Sequence, residues 1–371
     1  MNPSALEIRP PGSGRRRLPN CRMSAAVAVM AVSLGAMVCA APQTAPVRSL
    51  LALSKRNHTL AIVDPDTLQV IARAPVGADP HEVIASSDGK TAYVSIYGGG
   101  RYHAISVIDL VARKALADID TGALNGPHGL AFAAGKLWFT AEGAKAIATF
   151  DPPSATIDWI MGTGQNRTHM IYVTPDARQI YTTNVSSATV SIFEEVALPP
   201  MGPPPGMRPP QQTPPPGGMQ PRTDWSQTVI AVGKGDEGFD VSPAGRELWT
   251  ADAQDGTLSV VDLTARKVAA TLHAGTYGAN RLKFTPDGRL VFISSLAGGD
   301  LVIYDAASRH EFKRVPIGHG AAGILMDPAG SRAFVACGPD NYVAVLDLKT
   351  LQVVGHLDVG GEPDGLAWAV R

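Results

Sequence analysis

The stretch Gly256-Thr257-Leu258-Ser259-Val260-Val261-Asp262 alternates its faces: Leu258 and Val260 point one way, Thr257, Ser259 and Val261 the other. That two-residue period marks a β-strand. The strand stops at an aspartate, and the same ending recurs at Asp64, Asp109, Asp151, Asp305 and Asp347, with Glu194 in the equivalent position. Neighbouring members lie about 42–45 residues apart, except for a gap of about 68 between Glu194 and Asp262. A proline-rich run from Pro199 to Pro221 accounts for the excess. Upstream of these strands lie apolar stretches closed by turns such as Ser87-Asp88-Gly89 and Pro286-Asp287-Gly288, whose residues tolerate the tight backbone of a hairpin.

Short-strand repeats of this length are the four-stranded blades of a β-propeller. With strands labelled A to D from the axis outward, one unit has A at Pro80-His81-Glu82-Val83 and B at Thr91-Ala92-Tyr93-Val94. C follows at Ile105-Ser106-Val107-Ile108, and D comes after Asp109. The last unit continues past Asp347 into a D strand and then Pro363-Asp364-Gly365-Leu366-Ala367-Trp368, a strand A with no B or C behind it. The first unit, from Ser49-Leu50-Leu51-Ala52, has B and C with no A before it. The two ends complete one blade and leave no free sheet edge. The expected fold is all-β: a seven-bladed β-propeller closed by pairing of the N- and C-terminal strands.

Tyr181-Thr182-Thr183-Asn184 followed by Thr189-Val190-Ser191-Ile192, together with the Gly256 to Asp262 segment, resembles the YVTN-type (YncE-like) repeat of seven-bladed propellers of the bacterial envelope. The resemblance covers nearly the whole chain beyond residue 40. It implies a surface, periplasmic or binding protein, and similar propellers include lactonases and an antibiotic-cleaving lyase. Because the motifs are strand and turn chemistry, they bear on fold and do not choose an activity.

Arg15-Arg16-Arg17 precede an apolar run from Ala25 to Val38, and Val38-Cys39-Ala40 offers small residues to a signal peptidase. Residues 1–40 therefore read as an export signal and 41–371 as a periplasmic or secreted propeller. A twin-arginine route fits Leu18-Pro19-Asn20 poorly, lipid anchoring at Cys39 is disfavoured by Met37 and Val38, and Met23 is an alternative start. The apolar run is short for a membrane span, so none is expected once it is removed. Cleavage leaves Cys337 as the one cysteine, without a disulfide partner; it reads as a small buried hydrophobe rather than a reactive thiol. The 38 glycines and 30 prolines suit a turn-rich chain, and 45% hydrophobic residues suffice for the cores between blades.

The whole chain carries 32 basic and 33 acidic residues, and loss of residues 1–40 leaves about −5. That balance argues against a nucleic-acid partner. Residues 197–224 read as a disordered insertion replacing a C–D hairpin: Pro203-Pro204-Pro205 and Pro214-Pro215-Pro216 favour extended polyproline, and the intervening Gly and Gln build no core. A docking peptide or a spacer is the sharper reading of the same residues. The protein is expected to be a monomer that binds a protein, a peptide or a small molecule.

Aligning the seven units on the start of strand A puts Asp364, His81, His128, His169, Glu237, Asn280 and Ala322 in one slot. Five neighbouring blades thus present acid, His, His, His, acid. Gly126-Pro127-His128-Gly129-Leu130 and Pro80-His81 also resemble the Pro-His-Gly segments of lyase-like and metal-binding propellers. Imidazole and carboxylate suit a divalent transition metal, for which His81, His128, His169, Glu237 and Asp364 are the candidate ligands. His128 or His169 is the candidate base, with Glu237 as ligand. The same alignment puts Glu82, Arg167 and Arg281 near the channel mouth. The B–C loops bring Arg56, His58, Arg101, Tyr102, His103, Glu142 and Asn184 to that face, and of these groups Glu82, Arg167, Arg281, Tyr102 and His103 are the candidate ligand contacts. Arg56 and Arg101 read as ordinary solvated arginines. The Gly98-Gly99-Gly100-Arg101-Tyr102-His103 loop is the expected mobile cover.

Against this stands the polar, wet wall that the inner strands of any seven-bladed propeller present without binding anything. The chain has no Cys-x-x-Cys-His haem motif, phosphate loop, Gly-x-Ser-x-Gly elbow or dinucleotide glycine fingerprint. Two readings stay open: a non-catalytic exported propeller binding a ligand or partner on its loop face, and a metal-dependent lyase or lactonase-like hydrolase built on the histidine arc.

Overall fold

The computed structural model describes residues 48–198 and 222–371. The expected export signal, Cys39 and nearly all of the proline-rich insertion lie outside these residues. Seven antiparallel sheets form the blades, each ordered A-B-C-D. Blade 1 joins the two chain ends, with Pro363–Val370 as strand A against Arg48–Ser54, followed by Thr59–Val63 and Val70–Pro75. Leu50 faces Trp368 and Ala52 faces Leu366 across that seam, the closure expected from the half-units. The innermost strands of blades 2 to 7 are Pro80–Ala85, Pro127–Ala133, Thr168–Val173, Asp236–Val241, Ala279–Phe284 and Ala321–Met326. In blade 2 the outer strand is reduced to two short pieces, Lys114–Ala115 and Ile119–Asp120.

The recurring aspartate has a local cause. Its carboxylate accepts backbone N–H groups of the turn, as Asp64 does from Asp66 (2.9 Å) and Thr67 (3.1 Å), Asp262 from Thr264 (2.9 Å) and Ala265 (2.8 Å), and Asp151, followed by two prolines, from Ser154 alone (3.1 Å). The residue four places after each aspartate then takes a left-handed φ: Leu68, Arg113, Ala155, Arg266, Arg309 and Leu351. Such side-chain-to-backbone bonds fix a tight turn into strand D. Glu194 does not make this turn. Its strand runs on to Ala197, which pairs with Thr223, and Leu198 N–H donates to Arg222 O at 2.7 Å. The ladder of blade 4 is longer than the 197–224 boundary implied, because the extra cross-strand pairs replace the aspartate turn.

One apolar cluster fills each gap between neighbouring blades. Leu51, Leu53 and Ile62 of blade 1 meet Val83, Val94 and Ile108 of blade 2, and equivalent sets sit at the other six seams. Area removed from water at these seams holds the ring together. Cys337 lies inside one of them, with Sγ donating to Ile317 O at 3.5 Å and its pKa pushed up to about 12 by burial, so it packs as a small apolar residue.

Candidate functional site

All seven residues of the shared slot are the second residue of their strand A. All seven line one cavity of about 690 Å³ on the axis, at the end of the ring where the D–A and B–C loops gather. The residue before each strand A has a positive φ: Glu362, Asp79, Gly126, Arg167, Gly235, Gly278 and Gly320. Glycine adopts that backbone freely. Glu362, Asp79 and Arg167 accept a cost of roughly 1–2 kcal/mol each, and in return hold charged groups at the mouth of the cavity.

The third residue of strand A closes the floor. Glycine there (Gly129, Gly238, Gly323, Gly365) lets each inner strand press on the next; a Cβ at Gly129 would lie 2.5 Å from His169 O. Glu82 of blade 2 and buried Arg281 of blade 6 occupy the same position and form an ion pair. Blades 2 and 6 are not neighbours, so the pair spans the axis and turns the channel into a cup. Burial opposes the charge on Arg281, but Glu82 and Asp364 outweigh it and raise its pKa.

The histidines are not equivalent. His81 is committed to the rim: its Nε2 lies 2.7 Å from Lys55 Nζ and 3.0 Å from Asp79 Oδ1, and the His81 bond is the main cause that holds Asp79 well below the usual carboxylate range. Lys55 also reaches Asp364 at 3.4 Å. His128 is 1% exposed and packs on His169 with the rings tilted by 33° and their centroids 3.9 Å apart, a distance that the close approach at Gly129 allows. Thr140 ties the two inner strands together, accepting Gly129 N–H at 2.8 Å and donating to His169 O at 2.6 Å. Tyr97 presents its ring edge to His128 and donates its hydroxyl to Glu142 at 2.5 Å.

His169 is gripped from both sides. Its Nδ1 bonds Glu142, and its Nε2 pairs with Glu237 Oε2 at 2.9 Å. Arg167 in turn holds Glu237 at 2.8 Å. Burial alone would lower the pKa of His169, but the two carboxylates outweigh it and raise it; against its own burial Glu237 is held down to about 2, chiefly by His169. Burial drives His128 the other way, well below the ordinary imidazole value, with the His169 charge adding to it. Tyr97 is pushed up to about 12 by burial and by its bond to Glu142. One buried ring nitrogen, His128 Nδ1, has no partner. One nitrogen of each ring and one Glu142 oxygen lie within 4.8 Å of one another.

The three-histidine arc thus narrows to two histidines and a carboxylate that the strand A alignment did not select. Glu142 is the first residue after strand B of blade 3, Lys136–Ala141. Lys55 and Tyr97 hold the same place in blades 1 and 2 and line the cup, and Glu142 itself is one of the B–C loop residues expected at this face, so aligning the ends of strand B groups all three. Among the expected ligand contacts, Arg167 and Arg281 line the cup and Glu82 braces its floor. Tyr102 and His103 do not line it: Tyr102 packs over Gly98, and His103 bonds Asp120 at 2.9 Å. The Gly98–Gly100 segment is a 3₁₀ turn whose Gly100 lies against Gly126 and Gly143 of blade 3, and Gly126 N–H donates to Tyr102 O at 2.7 Å. Arg56 is exposed, as expected, although it borders the cup and bonds Glu362 at 2.7 Å.

By its fold the chain is a seven-bladed β-propeller, and solved structures share that architecture. A protein of unknown function from Desulfotomaculum acetoxidans superposes with a TM-score of 0.67 at 11% identity, covering 86% of this chain and 98% of its own. A Bacteroides fragilis protein provisionally assigned as a 6-phosphogluconolactonase gives 0.65 at 13% identity, covering 88% and 99%. Kuenenia stuttgartiensis hydrazine synthase gives 0.59 at 15%, covering 78% and 89%. At such identities the likeness concerns fold alone. No protein-family model matches the chain, and no curated protein matches it by sequence.

Proposed function

We propose that this chain is an exported, YncE-like binding propeller whose axial cup holds a divalent transition metal on His128, His169 and Glu142 and receives a small polar ligand above it. The carrying observation is the buried, unpartnered Nδ1 of His128, on an imidazole packed against that of His169 beside the buried Glu142 carboxylate. A buried polar atom without a partner costs about 1–3 kcal/mol, and an ion would use the lone pair of His128 Nδ1. Two imidazoles and one carboxylate are a familiar donor set for such ions. The 4.8 Å spread is a little wider than two bonds of about 2.0–2.1 Å laid end to end, a difference that side-chain rotation closes.

A metal held there would act as a Lewis acid toward a ligand oxygen. The chain's own residues position the donors: the Tyr97 hydroxyl orients Glu142, and Thr140 fixes the spacing of the two histidine strands. The alternative is a metal-dependent lyase or lactonase-like hydrolase; in it Glu237, on the cup wall outside the metal trio and held down to about 2 against its burial by His169 and Arg167, would serve as a fixed negative charge rather than as the base.

Elemental analysis of the purified protein tests the reading. About one transition-metal ion per chain is expected, lost in His128→Ala and kept in His319→Ala, whose exposed imidazole pairs with Asp340. Trace metal only, or equal retention by both variants, would remove the metal centre and leave a metal-free binding cup.

A further inference from the structure

The wall opposite the histidines is chemically different. In a ring of seven, the position facing blade 3 falls between blades 6 and 7. There Leu296, Gly320, Ala322, Gly338 and Pro339 form an apolar patch, flanked on the blade 6 side by Asn280 and Arg281. Ala322 holds the slot that the other six blades fill with Asp, His, Glu or Asn. Leu296 follows strand B of blade 6, where blades 1 to 3 place Lys55, Tyr97 and Glu142, and it is 55% exposed, a large apolar side chain left bare at the rim. Gly320 and Pro339 pack directly on one another beneath it, so the wall is smooth as well as apolar. The cup therefore carries charged and polar groups on blades 1 to 6 and one apolar patch, made by blade 7 and the Leu296 rim, that faces the histidines.

We propose that the ligand is a small amphipathic oxyacid: an anionic oxygen head at the His128–His169 end and a flat apolar body against Leu296, Ala322 and Pro339. Pockets that discriminate small molecules combine an apolar lining with a few convergent polar groups, and this one divides the two between opposite walls. A purely polar ligand, such as a free sugar, would leave the Leu296 side without a partner. This inference rests on the metal reading, because the head is assigned to the metal end.

Cobalt substitution gives a direct readout. The cobalt(II)-loaded protein is titrated with acetate and with benzoate, which share a carboxylate head and differ in body, and the visible spectrum of the ion reports binding. Benzoate is expected to bind about tenfold more tightly than acetate, since burying a ring against aliphatic side chains adds roughly that factor. Leu296→Asp, at an exposed site that the fold tolerates, should abolish the preference while the cobalt spectrum without acid stays unchanged. Equal binding of the two acids, or a preference that survives Leu296→Asp, overturns the inference and leaves the metal centre standing. A protein that takes up no cobalt overturns both.

Discussion

Asp236 and Asp252 face each other across strands A and B of blade 5, both fully buried, and one oxygen of each, Oδ1, has no donor. Thr257 and Ser259 donate to the other Asp252 oxygen at 2.8 and 2.7 Å. Burial pushes the Asp252 carboxyl up to about 6 and also raises that of Asp236 well above the usual carboxylate range. The folded protein therefore keeps the Asp252 proton to about pH 6, whereas the unfolded chain releases it near 3.8. Between those values the native state binds more protons, so this residue's contribution to stability falls as pH rises through the window and stays low above it. Blade 4 carries Asn184 at the same place, which makes Asp252→Asn the natural replacement. The variant should match the wild type near pH 4 and exceed it at pH 7 by up to about 3 kcal/mol, read from denaturant midpoints at the two values. A stability difference independent of pH would contradict this. None of this was legible in the sequence, where Asp252 is one acid among 33; its character comes from the partner strand and the seam that bury it.

Along each blade, by contrast, the sequence spoke clearly. The aspartate before strand D, the left-handed residue four places on and the alternating strand are local features that a period exposes, and so were seven blades and their order. The slot ring on strand A was legible for the same reason: equivalent residues of equivalent strands share a height and a radius. What the period could not show was which slots converge. Glu142 belongs to a B–C loop and meets His169 of the next blade, and Glu82 meets Arg281 across the axis, contacts that no single repeat contains. Blade 4 departs from the pattern in one element, where the hairpin extends to the Ala197–Thr223 pair. That ladder is complete at its outer end through Leu198 and Arg222, so replacing residues 199–221 by an Asn-Gly turn should shift the melting temperature by less than about 2 °C. A larger fall would mean that the removed residues stabilise the propeller.

At the scale of the whole molecule, closure ties the chain ends to the site. The last strand supplies the inner edge of blade 1, places Ala367 and Ala369 in one seam core and brings Glu362 and Asp364 to the cup. Truncation after Gly361 should expose an unpaired edge and abolish the cooperative transition seen by calorimetry, whereas removing Arg371 alone should not. The ring also explains why its centre can hold a strained and charged cluster: seven seams of buried side chains fix the inner strands, so Arg167, Asp79 and Glu362 are kept in a left-handed backbone by the surrounding structure. The central claim is that this rigid ring brings His128, His169 and Glu142 onto one ion. Anomalous diffraction from crystals grown with cobalt tests it most directly. The account predicts one strong peak at the cup floor about 2.0–2.1 Å from a nitrogen of each of the two histidines; an empty floor, with cobalt found only at surface sites such as His319 and Asp340, would contradict it.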